Sequence, residues 1–334
     1  MTAVSESDRF TLRTMLVRQV RWEAEGVVSV ELGTVDGSPA PTWTPGGHID
    51  LVLPSGLVRQ YSLCGQPGDR TGLTVAVLRE ADGRGGSREV HETQLVGRTV
   101  QICGPRNHFR LGEAEAYLLI AGGIGITPLL AMARELDARG ATWRMVYGGR
   151  SRATMAFLDE LTGSGGLGGT VTIVPEDEAG LPDVAGILDE AAPGAEVYCC
   201  GPEGLIGAVE AAGADRGVPV HVERFASGAA PAVADADAAA VQGLPEGPFR
   251  VELRASGITV DVAAGRSILE TVRERLPEVV SSCEEGYCGS CETRVLAGEP
   301  DHRDQVLDED EREAGESMMI CVGRSRTDPL VLDL

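Results

Sequence analysis

Four cysteines near the C-terminus constrain this chain more than any other feature. Cys283, Cys288 and Cys291 stand in a C-x4-C-x2-C spacing, and Cys321 follows in a separate segment. This is the ligand spacing of a plant-type 2Fe-2S cluster. Glycines lie between the first three cysteines, and glycine reaches positive φ without steric cost, as a loop that wraps a small inorganic core requires. The spacing therefore predicts a metal loop for a one-electron carrier.

The same thiols can also form a zinc site or disulfides. A structural zinc site normally uses two C-x2-4-C pairs, whereas Cys321 has no second cysteine near it. Disulfides need an oxidising compartment, and the segment from Met1 to Phe10 is polar and acidic, unlike an export signal. The iron-sulfur interpretation is favoured over both.

The charge of the chain limits its partners. It has 51 acidic and 29 basic residues, for a net charge of −22. Nucleic-acid binding needs a basic surface that contacts phosphates, so this charge argues against it. No apolar run reaches the roughly 18 residues of a membrane-spanning helix. We expect a cytoplasmic protein that binds neither nucleic acid nor membrane.

The N-terminal part, residues 1–112, is predicted to be one domain. Short β-like runs alternate here with glycine, proline and aspartate, which predicts an antiparallel barrel. The predicted strands are Thr11–Val20, Val27–Leu32, His48–Leu53, Val58–Leu63, Leu73–Leu78 and Thr99–Cys103.

The pattern changes in residues 113–228, where apolar runs alternate with helical segments. This rhythm predicts a parallel α/β domain. The predicted strands are Tyr117–Ala121, Arg144–Tyr147, Thr170–Val174 and Val197–Cys200.

A stretch rich in Ala, Gly, Pro and Asp, residues 229–248, is predicted to be a linker. Residues 249–334 then form a small unit, with strands near Phe249–Arg254 and Ile258–Val262 and a helix over Ser267–Arg275. The predicted fold class is therefore multidomain: an antiparallel β-barrel, an α/β parallel-sheet domain and an α+β ferredoxin-like (β-grasp) domain.

Two stretches of the predicted barrel suit a flavin. Arg59-Gln60-Tyr61-Ser62 offers a guanidinium for a phosphate, an aromatic face for a flat ring and a hydroxyl for a ring nitrogen. Arg84-Gly85-Gly86-Ser87 combines a glycine turn with a helix start, whose backbone amides form an anion cradle. Each stretch alone also fits an ordinary strand or surface turn. Together, upstream of an α/β unit, they indicate a flavin site.

Two strand-to-helix turns of the α/β domain suit a nucleotide. In Gly122-Gly123-Ile124-Gly125-Ile126-Thr127-Pro128, Thr127 is the predicted N-cap and Pro128 the first helical residue. A diphosphate can approach this backbone, although the Rossmann G-x-G-x-x-G pattern is not met and glycines needed for packing also explain it. The second turn, Cys200-Gly201-Pro202, has Pro202 as the predicted first residue of its helix. It places Cys200 at the carboxyl edge of the sheet, where ligands of such sheets bind.

Taken together, these stretches resemble the phthalate dioxygenase reductase and vanillate O-demethylase reductase family, within the ferredoxin-NADP reductase superfamily. The likeness extends from about Phe10 to Leu334, and the order of flavin, nicotinamide and ferredoxin domains is itself diagnostic. It implies an NAD(P)H-dependent flavin and iron-sulfur electron-transfer reductase that carries FMN.

The resemblance also implies the residues of the sites. The implied FMN contacts are Arg59, Gln60, Tyr61, Ser62, Gly85, Gly86, Ser87 and, beside the ring, Phe225. The implied nicotinamide contacts are Gly123, Gly125, Thr127, Cys200, Gly201 and Pro202. Ser62 and Cys200 are expected nearest to the hydride path, and neither needs to act as an acid or base.

The choice between NADH and NADPH stays open. The family as a whole looks NADH-dependent, and close relatives often carry an acid after the second strand of the α/β domain. Here Arg150, Ser151 and Arg152 occupy that position, and two guanidiniums and a hydroxyl suit a 2′-phosphate. A solvated loop is the alternative.

The predicted function is an electron relay from NAD(P)H through FMN and the cluster to a protein partner. By resemblance the partner is a Rieske-type terminal oxygenase or demethylase. A reductase for a haem monooxygenase and a slow-turnover redox sensor are the alternatives, while a free small-molecule acceptor would need no ferredoxin unit. Acidic residues at 284–285 and 308–311 favour a basic docking patch on the partner. We expect a monomer.

Overall fold

The computed structural model describes residues 12–81, 83, 85–163, 166–225, 247–281, 283–284, 286, 289–304, 306–307 and 309–334. The chain divides into two compact units, Met1–Phe225 and Ala226–Leu334. Several predicted features lie outside the described residues: Cys288, Arg84, Glu285, Asp308 and nearly all of the linker 229–248. The finer division into domains at residues 112, 228 and 248 stays a prediction.

The first sheet confirms the predicted antiparallel barrel. Its six strands lie in the order β4-β3-β6-β1-β2-β5, and an isolated bridge between Leu63 and Val75 joins its two edges. The strands are β1 (Arg13–Ala24), β2 (Val27–Thr34), β3 (His48–Val52), β4 (Val58–Ser62), β5 (Leu73–Leu78) and β6 (Thr99–Arg106). Helix α1 (Gly86–Glu92) lies between β5 and β6 in the chain.

The second sheet confirms the parallel α/β unit. Its order is β11-β10-β7-β8-β9, and every neighbouring pair is parallel. The strands are β7 (Ala116–Gly122), β8 (Thr142–Gly149), β9 (Thr170–Pro175), β10 (Ala195–Cys200) and β11 (Val220–Glu223). The helices are α2 (Ile126–Ala138), α3 (Leu158–Thr162), α4 (Glu176–Ala179), α5 (Val184–Asp189) and α6 (Glu203–Arg216).

The barrel and the parallel sheet share one hydrophobic core. Ala24, Val27 and Cys64 of the barrel pack in the same buried cluster as Leu119 of β7 and Leu129 of α2. Burying apolar surface drives such contacts, so the two sheets are joined in one unit. Groups on the outer face of the barrel can therefore meet groups at the edge of the parallel sheet.

The second unit is built on a mixed sheet in the order β13-β12-β18-β14-β16 with a two-stranded ribbon of β15 and β17. Its strands are β12 (Phe249–Leu253), β13 (Ile258–Val262), β14 (Glu292–Ala297), β15 (Pro300–Asp301), β16 (Ser317–Met319), β17 (Arg324–Ser325) and β18 (Leu330–Leu332). Its helices are α7 (Ile268–Arg273) and α8 (Glu309–Ala314). Ser267 and Glu270 form a capping box at the start of α7, which places the helix as predicted.

Candidate functional site

Three of the four predicted cluster ligands come together in the second unit. Cys283, Cys291 and Cys321 are all buried. Hydrogen bonds with the Cys283 and Cys291 thiols, together with burial, raise the pKa of Cys321 above its usual value. Thiols from two separate segments thus converge on one point, and sulfur is the donor that iron-sulfur clusters use. The described ranges contain no group of three His, Cys, Asp or Glu side chains arranged for a single metal ion.

The backbone of the cluster loop takes the predicted left-handed turns. The φ angles are +77° at Gly286 and +70° at Gly289. A Cβ built on Gly286 would lie 2.8 Å from Val322 Cγ2 and 3.1 Å from Asp304 Cα. Gly286 is therefore required both by the turn and by the close approach of Asp304.

A side-chain clasp that the sequence analysis missed holds the start of the cluster loop. Arg273, on α7, donates to Glu284 Oε1 (2.7 Å) and Ser281 Oγ (2.8 Å), and Ser281 donates to the same Glu284 oxygen (2.7 Å). Glu284 is the residue after Cys283 and has a φ of +61°, which is strained for a residue with a side chain. The clasp thus offsets strain next to a predicted cluster ligand.

Replacing Arg273 with alanine is expected to accelerate loss of the iron-sulfur cluster. A hydrogen bond to a charged group contributes about 1.5–3 kcal/mol, so we expect roughly tenfold faster bleaching under an iron chelator. Arg275→Ala is the matched control, because Arg275 is exposed on the segment after the same helix. Equal bleaching rates of the two variants would show that the clasp does not stabilise the loop.

The predicted flavin strand, β4, is a terminal strand of its sheet, so one edge of its backbone lacks a strand partner over Val58–Ser62. The Tyr61 hydroxyl on this strand is buried and makes no hydrogen bond within the described part of the chain, and burial raises its pKa. Buried polar groups are normally paired. An open backbone edge beside an unsatisfied hydroxyl suits a bound ring with polar atoms, so the strand fits FMN.

The predicted phosphate cradle brings Arg59 onto the glycine turn. A Cβ on Gly86 would lie 2.5 Å from Arg59 Cγ, so only glycine admits this side chain. Gly85 has a φ of +86° and precedes α1. The Ser87 hydroxyl accepts a hydrogen bond from the Glu80 amide (3.1 Å) and retains its own proton to donate. A guanidinium over a glycine turn suits a phosphate.

Gln60 is placed differently from its neighbours on β4. Its side-chain amide faces Asp50 on the adjacent strand, with 3.5 Å between Nε2 and Oδ1, and Asp50 pairs with Arg106 (2.5 Å). The side chain of Gln60 thus belongs to a polar cluster on the outer face of the barrel. For a ring at the open edge, Gln60 offers its backbone.

The glycines of the nucleotide turns have two different roles. A Cβ on Gly125 would lie 2.2 Å from the Cys200 carbonyl oxygen, and one on Gly201 would lie 2.9 Å from Gly122 Cα. These three glycines allow the two turns to pack against each other. Gly123 differs, because its φ is +54° and a Cβ there would meet nothing within 4 Å. It is the glycine of this turn that borders open space.

Two predicted helix starts were misplaced. Thr127 is not the N-cap of α2: Gly125 occupies that position, and the Thr127 hydroxyl donates to the Ile124 carbonyl inside the helix. A 3-10 turn over Gly123–Gly125 leads directly into α2, so the helix begins before threonine. Pro202 is the N-cap of α6 rather than its first residue. Both residues still lie at the carboxyl edge of the sheet.

Cys199 and Cys200 are both fully buried, on opposite sides of the parallel sheet. Cys200 is paired in register with Glu223 of β11. Burial, then the nearby Glu223 and Cys199, raise the pKa of Cys200 well above its usual value. The thiol therefore keeps its proton, and the absence of an acid or base role for Cys200 stays a prediction.

Glu223 is a site residue that the sequence analysis missed. The Ser62 hydroxyl donates to Glu223 Oε2 (3.2 Å) across the contact between barrel and parallel sheet. Burial raises the pKa of Glu223 to about 8 against the lowering effect of the Ser62 hydrogen bond. An acid at the end of the short strand Val220–Glu223, where two valines alternate with a histidine and this glutamate, was the available signal. Ser62, Cys200 and Glu223 thus meet at one place.

The predicted 2′-phosphate loop adjoins a run of acids. The Asp177 amide donates to the Arg150 carbonyl (3.2 Å), and Arg152 pairs with Glu178 (3.0 Å). Arg150 is exposed and forms no ion pair with any described residue. Ser151 closes the turn by a capping box with Thr154. Of the two predicted guanidiniums, only that of Arg150 is without an acidic partner in the described chain.

Phe225, predicted beside the flavin ring, is the last described residue of the first unit. Its side chain is 38% exposed, and it follows β11 by two residues. An exposed aromatic side chain just after Glu223 leaves a flat apolar face available. Its contact with the ring remains a prediction.

Family models match one stretch in each of the two compact units. Residues 251–325 match the 2Fe-2S iron-sulfur cluster binding domain. Residues 108–221 match the N-terminal domain of a dimethylamine monooxygenase subunit DmmA-like family.

Several of the similar proteins are named as subunits or reductases of dioxygenases. The chain is 42% identical to a phenoxybenzoate dioxygenase subunit beta of Ectopseudomonas oleovorans, over 96% of this chain and 97% of that one. It is 38% identical to the phthalate dioxygenase reductase of Burkholderia cepacia, over 93% and 94%. A solved phthalate dioxygenase reductase superposes with a TM-score of 0.69 at 36% identity, over 98% and 99%.

A haem enzyme is also similar. An intact type IV self-sufficient cytochrome P450 monooxygenase matches with a TM-score of 0.81 at 42% identity. The match covers 97% of this chain and 41% of the P450 chain. This chain therefore corresponds to a part of that larger protein.

Proposed function

Because the chain belongs to the phthalate dioxygenase reductase and vanillate O-demethylase reductase family, we propose that it passes electrons from NAD(P)H to a Rieske-type terminal oxygenase or demethylase. The observation that carries the proposal is the convergence of Cys283, Cys291 and Cys321 in a 2Fe-2S domain. A flavin and nucleotide unit precedes that domain in the same chain.

The class of the enzyme and its cofactors are as predicted. The chain is an NAD(P)H-dependent electron-transfer reductase with FMN and a 2Fe-2S cluster as cofactors. Bound FMN supplies the conversion of a two-electron hydride donor into single electrons. The protein must then hold the donor and the ring in register, exclude water and provide hydrogen bonds.

We assign the positioning of the two reactants to residues at the contact between barrel and parallel sheet. Tyr61 and the open edge of β4 hold the ring, and Arg59 with Gly85 and Gly86 holds its phosphate. The turn at Gly123 admits the nucleotide. Ser62 is fixed by Glu223, so its hydroxyl is oriented before the substrate arrives. A preorganised donor of this kind loses little entropy at the reacting centre.

The charges beside Arg150 favour NADH. Glu176, Asp177 and Glu178 lie at the carboxyl end of β9, and Glu178 neutralises Arg152. A 2′-phosphate near Arg150 would be repelled by these acids, whereas the hydroxyls of an unphosphorylated ribose can donate to carboxylates. We therefore assign NADH as the preferred donor.

Replacing Glu178 with glutamine is expected to shift the preference towards NADPH. The change frees the Arg152 guanidinium for a phosphate, and an exposed pair of this kind contributes about 0.2–1 kcal/mol, so the ratio of kcat/KM for NADPH over NADH should rise about two- to fivefold. Arg150→Ala is the companion variant and should raise the KM for NADPH selectively. If both variants leave the ratio of kcat/KM for NADPH over NADH unchanged, the loop at residues 150–152 does not contact the 2′ position of the ribose.

The partner class can be tested by direct reconstitution. The purified chain is mixed with a Rieske-type oxygenase component or with a haem monooxygenase domain, and NADH-driven product formation is measured for each. The proposal expects faster turnover with the Rieske partner. The similarity to a self-sufficient P450 supports the haem partner as the second candidate. Negligible reduction of cytochrome c by NADH and NADPH would favour the redox sensor instead.

No helix among the described residues has the length and apolar character to span a bilayer. The monomeric state stays a prediction, and sedimentation of the holoprotein tests it.

A further inference from the structure

A buried histidine lies beside Glu223 with both of its ring nitrogens unsatisfied. His48, on β3, is 3% exposed, and neither Nδ1 nor Nε2 makes a hydrogen bond with any of the described residues. Leaving a buried donor or acceptor unpaired costs about 1–3 kcal/mol. A histidine in this state needs a reason other than packing.

The neighbour of His48 is the carboxyl group that already holds Ser62. His48 Nδ1 lies 4.0 Å from Glu223 Oε1, while Glu223 Oε2 accepts from Ser62. The separation exceeds a hydrogen bond by about 1 Å, which a small rotation of the glutamate side chain removes. His48 is also stacked on His108, with 5.7 Å between ring centroids. His108 is exposed. A row of four side chains therefore runs from the site to solvent: Ser62, Glu223, His48 and His108.

The reaction releases a proton that such a row of side chains could conduct to solvent. Oxidation of one NAD(P)H gives NAD(P)⁺, two electrons and one proton. The electrons leave through the cluster, and the proton must leave a site whose polar groups are largely enclosed. This inference therefore rests on the proposed function.

We propose that Glu223 and His48 carry this proton from Ser62 to solvent beside His108. Ser62 takes up the proton of the reaction as it gives its hydroxyl proton to Glu223 Oε2, Glu223 gives the proton on Oε1 to His48 Nδ1, and His48 releases its Nε2 proton to water beside His108. One proton enters and one leaves. The passage leaves Glu223 protonated on Oε2 and His48 on Nδ1, so rotation of the carboxyl group and return of the imidazole proton to Nε2 must precede the next transfer. His48 acts on the proton that leaves and has no part in positioning the nicotinamide.

The surroundings of Glu223 and His48 are compatible with proton transfer between them in both directions. Burial raises the pKa of Glu223 to about 8. Burial, Arg106 and then His108 lower the pKa of His48 well below its usual value. The other charged or titratable groups facing the pair are Asp50 and Arg106, which neutralise each other, and the buried thiol of Cys200. Neither relay group is thus held in a charged form at neutral pH.

The first test needs no turnover. Ring nitrogens of ¹⁵N-histidine-labelled holoprotein are followed by NMR from pH 6 to pH 9, in the unmodified protein and in Glu223→Gln. The proposal expects His48 resonances to shift as Glu223 loses its proton near pH 8 and this inflection to vanish in E223Q. His48 resonances that show the same pH response in both proteins would overturn it.

The second test separates the relay from the proposed function. Rapid mixing with NADH measures flavin reduction first and the later return of flavin absorbance in the presence of an electron acceptor. His48→Gln should leave the first rate within about twofold and slow the second about tenfold or more, since acid-base catalysis typically contributes 10²–10⁴-fold. His91→Gln, on α1 and hydrogen-bonded to the Val77 carbonyl (2.9 Å), is the matched control.

The outcomes are distinct. If NADH does not reduce the flavin of the unmodified protein, the proposed function is overturned. Normal reduction with the same reoxidation rate and solvent isotope effect in H48Q and H91Q would overturn the relay alone. Slower reoxidation of H48Q with a larger solvent isotope effect supports it. If H48Q does not fold, the NMR comparison still decides.

Discussion

Replacing Cys321 with serine is expected to abolish the iron-sulfur absorbance of the purified protein while NADH still reduces the flavin. Cys321 is the predicted ligand from the separate segment, and its thiol contacts both Cys283 and Cys291. A hydroxyl is a poor substitute for a thiolate ligand of iron. Electron delivery to cytochrome c or to an oxygenase should then fall by at least about 100-fold. Loss of a residue that only hydrogen-bonds to a metal ligand already lowers metal affinity or activity about 10–100-fold, and loss of the ligand itself should cost more.

The matched control is Cys64→Ser. Cys64 is also buried, and its thiol faces the Thr74 carbonyl (3.6 Å) in the barrel. This variant should keep the cluster absorbance. If C321S lost flavin reduction as well as the cluster, the two units would depend on each other in a way that the assignment of separate roles does not allow.

Replacing Arg59 with alanine is expected to weaken FMN binding by about 10- to 100-fold, since charge-assisted hydrogen bonds contribute about 1.5–3 kcal/mol. The guanidinium lies against Gly86 at the turn assigned to the phosphate. Arg59→Lys should recover part of the affinity, because it restores the charge without the paired geometry. Fluorescence titration of the flavin-free protein with FMN measures the dissociation constant.

Arg79→Ala serves as the control for this variant. Arg79 pairs with Glu92 on the exposed surface of the same barrel (2.6 Å), where ion pairs contribute little. Its FMN affinity should equal that of the unmodified protein. Equal affinities of R59A and R79A would remove Arg59 from the flavin site.

Local patterns in the sequence predicted most of the fold. The alternation of short runs identified the six barrel strands, although β1 continues to Ala24 through irregular pairing with β2. The cysteine spacing required turns that the structure has at Gly286 and Gly289. Such signals are local, because they depend on residues a few positions apart.

The features that were missed depend on contacts between distant residues. Ser62 and Glu223 are 161 positions apart and meet only because the barrel and the parallel sheet share a core. His48 acquires its significance from the same contact. The N-cap of α2 was misplaced because a 3-10 turn replaced the expected loop. Tertiary contacts override local preferences in each case.

The glycines of the nucleotide turns show the same limit. Gly122 and Gly125 were predicted in a turn that a diphosphate can approach, with packing as the alternative, and Gly201 as a nicotinamide contact; in the structure all three lie where one turn packs on the other. Only the three-dimensional structure separates them from Gly123, whose missing Cβ leaves open space. A glycine pattern alone does not distinguish a ligand from a protein neighbour.

An anaerobic titration of the holoprotein with NADH tests the central claim most directly. A flavin that takes two electrons and a cluster that takes one should together consume about 1.5 equivalents of NADH per chain, with bleaching of both flavin and iron-sulfur absorbance. Consumption of about one equivalent, by a yellow protein without acid-labile sulfide, would contradict the claim that this chain delivers single electrons through a 2Fe-2S cluster.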